Sequence, residues 1–364
     1  MSDNVNPVLV EVTRGAAVES QHRGAACVYD ATGARVLAWG QVEAPIFPRS
    51  TVKLLQAVPF LESGAADVCQ ANFNELALAC ASHAGERAHI AVARAWLERL
   101  GLEDGHLACG AHEPYDADAA HALIRAGEAP TALHNNCSGQ HIAMLATALA
   151  KGEAIDGYHE PDHPVQQRVR DTMSDLTGED LTRAPMGIDG CGVPTWGITL
   201  AGLARGMARI ADPRGLKVVR QSAIRRLRNA VARNPFMVAG TGRFCTALIG
   251  HKSTELYVKT GAEGVFVAAL YELGVGIAVK IDDGAKRASE VALAAILRYL
   301  EVLDDADWES VAPFAAPRVL NRAGRDVGEI RTAAGWPHGR PQAAPAEAAP
   351  AETAPAESPQ KAEP

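Results

Sequence analysis

The strand-forming stretches of this chain lie near its two ends, at 7–13, 25–30 and 35–39 and again at 255–260, 264–270 and 275–281, while the middle reads as helix and loop. Strands need partners, so one sheet has to unite the two ends across a long helical insertion. No regular strand–helix–strand alternation runs through the sequence. A doubly wound parallel sheet is therefore disfavoured and an antiparallel sheet flanked by helices is expected, an α/β (α+β) fold. Helical spacing appears in 87–100 through Ile90, Ala93, Trp96, Leu97 and Leu100, and in 164–176 through Val165, Val169, Met173 and Leu176. Val219, Ala223, Leu227 and Val231 make another stripe, and a helix over 289–303 follows the last strand. With 48% hydrophobic residues among 364, the chain has the material for a large core. We expect residues 1–335 to form a single catalytic unit with two lobes. From about Arg340 the chain is rich in Pro, Ala and Glu and holds almost nothing larger than alanine to bury, so residues 340–364 are expected to be a disordered tail.

The 43 acidic residues against 35 basic ones leave a net charge of -8, which gives no global field for phosphate backbones or anionic lipid. Nucleic acid and membrane are not expected partners. The start, MSDNVNPVLVEVTRG, lacks the pattern of a secretory signal, and a cytoplasmic location is expected. Seven cysteines without regular spacing read as reduced thiols rather than a disulfide framework.

Three stretches carry chemistry by their residue types. In FPRSTVK, a loop entering a helix, Ser50 and Lys53 are three apart and share a face, the SxxK spacing. A serine hydroxyl is a weak nucleophile until a base takes its proton, and a lysine serves only when burial or nearby charge lowers its pKa. ELYVKTGAEGVF ends a strand in Lys259, Thr260 and Gly261, a KTG in the order found after SxxK serines. Lys259 is expected to place positive charge beside Ser50 and Lys53. Between them, LACASHAGERAH offers Ser82 as a second serine that relays a proton from Lys53, with His83 in a supporting position.

Two further segments, HNNCSGQH and GIDGCGVP, set Cys137 and Cys191 among small residues, with His134, His141 and Asp189 near in sequence. No CxxC or HExxH spacing marks them as a generic metal site. NPFMVAGTGRFCT holds Arg243 in a glycine-rich loop without the GK[ST] ending of a phosphate loop, so no nucleotide cofactor is expected, and Arg243 reads equally as a carboxylate clamp or a scaffold residue.

Taken together with VEVTRGAAVESQHRG, these segments resemble the asparaginase II family, the rhizobial-type or class 3 L-asparaginases, from about Pro7 to beyond Arg325. The resemblance implies a fold similar to serine β-lactamases and glutaminases, a homodimer, and hydrolysis of L-asparagine to L-aspartate and ammonia. It implies Ser50 as nucleophile, Lys53 as base, and Ser82 and Lys259 as second serine and lysine. Arg49, Asn136, Asp189 and Arg243 are the candidates for substrate contacts. It also implies that zinc, where bound, sits on the two cysteines and a lysine. Here Cys137 and Cys191 are present, but Gln140 stands at the lysine position, so zinc is not expected to be required. Glutaminase or another SxxK amide hydrolase is the nearest alternative activity; from another class, a non-catalytic amino-acid-binding protein would keep the pocket without turnover.

Overall fold

A computed structural model describes residues 5–338. The strands of the main sheet are β1 (Val8–Arg14), β2 (Ala17–Asp30), β3 (Arg35–Trp39), β4 (Leu256–Thr260), β5 (Val265–Leu270), β6 (Val275–Ile281), β7 (Arg318–Leu320) and β8 (Asp326–Thr332). They form one antiparallel sheet in the order β7-β8-β1-β2-β6-β5-β4, with β3 also on β2. The two chain ends thus meet in one sheet, as expected. The seam is the β2–β6 pairing, which runs from Val275 opposite Asp30 to Ile281 opposite Gly24.

Three features differ from the expectation. β2 is more than twice the length read from sequence, because its first half, AVESQHR, is polar and largely exposed and lacks the apolar signal of a strand. It pairs with β1 through two register shifts. β7 and β8, with few buried side chains, were not legible either; β8 pairs with β1 and becomes part of the sheet through that contact. The helix expected over 289–303 instead runs Lys286–Tyr299.

Val265–Leu270 is buried at every position, so that strand needs cover on both faces. Two helices that pack on the sheet provide it, α1 (Leu200–Ala211) and α2 (Lys286–Tyr299). Gly276 of β6 allows α1 its close approach, since a Cβ there would collide with the backbone at Ala204 and Ala208. The insertion between the sheet halves contributes the other helices, including Arg87–Arg99, Pro164–Thr177 and Val218–Arg233, close to the spans the periodicity predicts. All seven cysteines are free. Among the described residues no helix is long and apolar enough to cross a membrane. The expected tail lies outside the described residues.

Candidate active site

The site lies where the insertion covers β4, the last strand of the sheet, every residue of which is buried. A short 3-10 turn, Arg49–Val52, carries Ser50, and the α-helix Lys53–Glu62 starts directly after it. Arg49 has φ 52°, a left-handed conformation that costs a non-glycine residue energy. Strain of this kind persists only when neighbours enforce it. Here the Arg49 guanidinium is tied to Asp189 Oδ1 at 2.7–2.8 Å, and Thr51 Oγ1 donates to Pro48 O at 2.7 Å. Gly261 lets β4 come close to this turn: a Cβ there would stand 2.9 Å from Thr51 Cγ2 and 3.1 Å from Pro48 O.

Ser82 follows the helix Phe73–Ala79, whose start is fixed by a reciprocal capping box between Asn72 and Glu75. Its backbone N–H donates to Val238 O, and its hydroxyl accepts from Lys259 Nζ at 2.9 Å. Lys259 Nζ also donates to Thr260 O at 2.8 Å, and its side chain is fully buried. His83 Nδ1 accepts from the Gly85 N–H, which leaves Nε2 to donate to Ser138 Oγ at 2.9 Å. His83 N–H reaches Asn136 O, so this histidine joins the CASHAGE and NNCSG segments. It is a scaffold residue, and burial holds it well below the usual imidazole range.

Asn136 and Cys137 precede the helix Ser138–Lys151, while Asp189 and Cys191 sit in the loop of a short hairpin made by Met186–Ile188 and Pro194–Trp196. The result is a cavity of about 470 Å³ lined by Arg49, Ser50, Ser82, Asn136, Cys137, Asp189, Cys191 and Arg243 among others. Lys53 and Lys259 lie buried and are not part of that lining. The lining also includes Thr260 and Gly261 of the KTG segment, together with His112, Tyr115, Asn135, Ala262 and Lys286, which sequence reasoning did not select. His112 accepts the Asn136 N–H at 2.9 Å and stacks on Tyr115. The loop holding these two rings, AHEPYD, has no periodicity and no known spacing, so only the tertiary contact exposes its role.

The surroundings shift the two lysines in opposite directions. Burial pushes Lys53 down, but the thiols of Cys137 and Cys191 and the Asp189 carboxylate more than offset it, and its pKa ends above the ordinary lysine value. Its buried Nζ faces the Cys137 thiol and makes no hydrogen bond to Ser50. Lys259 goes the other way, lowered to about 7, by burial first and then by the charges of Lys53 and Arg243 against an opposing effect of Cys245. The expectation that Lys53 is the lysine with depressed pKa is therefore not met. Two neighbouring ammonium groups repel, and the one beside the thiols keeps its proton. The Cys191 thiol and the Lys53 ammonium in turn hold Cys137 below the ordinary thiol range against its burial.

The family model for L-asparaginase II matches residues 10–332. The chain belongs to this family. Comparison with curated protein sequences found no match. Among solved structures, the chain is similar to a putative β-lactamase from Bacteroides dorei, at 16% identity over 71% of this chain and 84% of that one, with a TM-score of 0.39. It is also similar to a β-lactamase from Mycobacterium bovis, at 12% identity over 76% and 94%, with a TM-score of 0.40.

The fit of zinc can be judged from the donors present. The Cys137 and Cys191 thiols do meet. Gln140 donates its Nε2 to Gln56 Oε1 at 2.7 Å and His141 Nδ1 is bound to the Tyr158 hydroxyl at 2.6 Å, while Gln140 Oε1 and His141 Nε2 are buried without a hydrogen-bond partner; beside the thiols stands instead the Lys53 ammonium. Among the described residues no three His, Cys, Asp or Glu side chains are gathered to hold a metal. Protein zinc sites draw three or four ligands from such side chains. With two thiols facing an ammonium, the residues do not fit that group, and no chemical step is derived through it.

Proposed function

We propose that the protein is an L-asparagine amidohydrolase that releases L-aspartate and ammonia. The observation that carries this reading is the Lys259–Ser82 hydrogen bond of 2.9 Å at the wall of a cavity that Ser50 also lines, in a chain of the L-asparaginase II family. Ser50 Oγ attacks the side-chain amide carbon. Its proton passes by way of Ser82 to Lys259, the lysine that is near neutrality at physiological pH. The base role expected for Lys53 thus goes to Lys259. Lys53 keeps its charge and lowers the cost of negative charge on Ser50, and backbone N–H groups near Ser50 stabilise the oxyanion. The departing ammonia takes the proton back from the Lys259–Ser82 pair, and water then cleaves the acyl ester. Asp189 and Arg49, already fixed to each other, are suited to the substrate's ammonium and carboxylate, with Asn136 beside them.

Ammonia release from asparagine, with glutamine in parallel, tests the reading. Asparagine is expected to be the faster substrate, and Ser50→Ala is expected to abolish turnover with the fold retained. Full activity of that variant removes Ser50 from the nucleophile role. The roomy cavity supports glutamine as a secondary substrate, because one methylene is worth only about 1–3 kcal/mol of discrimination.

A further inference from the structure

The cavity lining is lopsided in charge. Arg49, Arg243 and Lys286 are its cations, and Asp189 is the one carboxylate. Arg49 and Asp189 neutralise each other, which leaves Arg243 and Lys286 as the cations of the lining without a carboxylate partner in the cavity itself. Among the described residues the Arg243 side chain makes no hydrogen bond or ion pair. Lys286 reaches Glu290 at 3.3 Å, a carboxyl that burial pushes upward against the pull of Lys286 and Arg243.

The position of these charges matters as much as their sign. Arg49 stands beside Asp189 and Cys191, on the side suited to the amino-acid end of asparagine. Arg243 instead lies two residues before Cys245, whose Sγ accepts the Thr260 N–H at 3.4 Å, and it acts electrostatically on Lys259 and Glu290, so it belongs to the Ser82–Lys259 end, where the amine departs. Ammonia has nothing for a cation to hold. The cavity of about 470 Å³ is also in the range of sites for larger ligands than a free amino acid.

We infer that the site also takes amides whose departing amine bears a carboxylate: an amino acid joined through its nitrogen to the side-chain carbonyl of aspartate, with its carboxylate between Arg243 and Lys286. This rests on the amidohydrolase reading above and names a second substrate class for the same site. Ser50 Oγ bonds to the acyl carbon as the C–N bond breaks, and the amino acid leaves with a proton from the Lys259–Ser82 pair. Water then cleaves the ester to give aspartate and free Ser50.

The test compares three substrates with the purified full chain: β-aspartylglycine, the side-chain N-methylamide of asparagine, and asparagine. The first two are both secondary amides and differ in the carboxylate. β-Aspartylglycine is expected to exceed the methylamide in kcat/KM by roughly ten-fold or more, chiefly through KM, as a charge-assisted contact should provide. In Arg243→Gln/Lys286→Gln this preference is expected to fall towards one. Lys286→Gln alone, on an exposed side chain, is expected to lose part of it. A wild-type ratio near one, or a ratio unchanged in the double variant, overturns the inference. Asparagine turnover with neither secondary amide cleaved overturns it while leaving the asparaginase reading intact. No release from any of the three overturns both.

Discussion

If Lys259 is the base, its ionisation should be visible in the rate. With a folded-state pKa of about 7, the neutral fraction is about a tenth at pH 6 and about nine tenths at pH 8, so kcat/KM for asparagine should climb nearly ten-fold across that interval and then level off. A lysine at its ordinary value near 10.4 would instead give a rate still rising steeply above pH 9. The perturbation that assigns the limb is Arg243→Gln. Arg243 is one of the charges that depress Lys259, so its loss should move the acid limb to higher pH. The limb position is read separately from any change in substrate affinity. Stability offers an independent check. A buried lysine of lowered pKa is neutral in the folded state above about 7, while the unfolded chain holds that proton to about 10.4, so the unfolded state binds more protons in between and this group's contribution to stability rises with pH across that window. Denaturant midpoints should show that rise, and Lys259→Met should remove it along with the activity. A flat profile from pH 6 to 9, or an acid limb that Arg243→Gln leaves in place, refutes Lys259 as the group.

Two other outcomes follow from the geometry. In Gly261→Ala the new methyl meets Thr51, which is pinned to Pro48 O and cannot swing aside, so β4 and the Ser50 turn must separate by several tenths of an ångström. We expect a loss of about 1–3 kcal/mol in stability and a fall in kcat of up to about 100-fold, checked by melting and steady-state kinetics. Chelation followed by zinc titration should leave asparagine hydrolysis unchanged, because among the described residues the Cys137 and Cys191 thiols gather no third His, Cys, Asp or Glu ligand and face the Lys53 ammonium; a rate that collapses with chelator and returns with zinc would contradict the donor reading.

What the sequence determined by itself is whatever depends on local order and residue type. Apolar runs such as Val265–Leu270 announced a strand, stripes such as Val165, Val169, Met173 and Leu176 announced a helix, and the separation of strands to the two ends required one sheet to join them. The ordered segments around Ser50, Ser82, Cys137, Cys191, Arg243 and Lys259 pointed to one site. The polar half of β2 and the sparse strands β7 and β8 escaped, because their pairing is fixed by neighbours rather than by their own pattern. The tertiary structure alone decided the charge states. Lys53 and Lys259 are both fully or almost fully buried lysines, and nothing in their local sequence says which keeps its proton. That depends on the thiols of Cys137 and Cys191 and the Asp189 carboxylate arriving beside one, and on Lys53 and Arg243 arriving beside the other. It likewise brought Lys286, at the start of a helix, and His112 and Tyr115, from a loop without a pattern of its own, to the cavity. Burial and electrostatic coupling are properties of the assembled surroundings, and a linear reading has no access to them until the chain has folded.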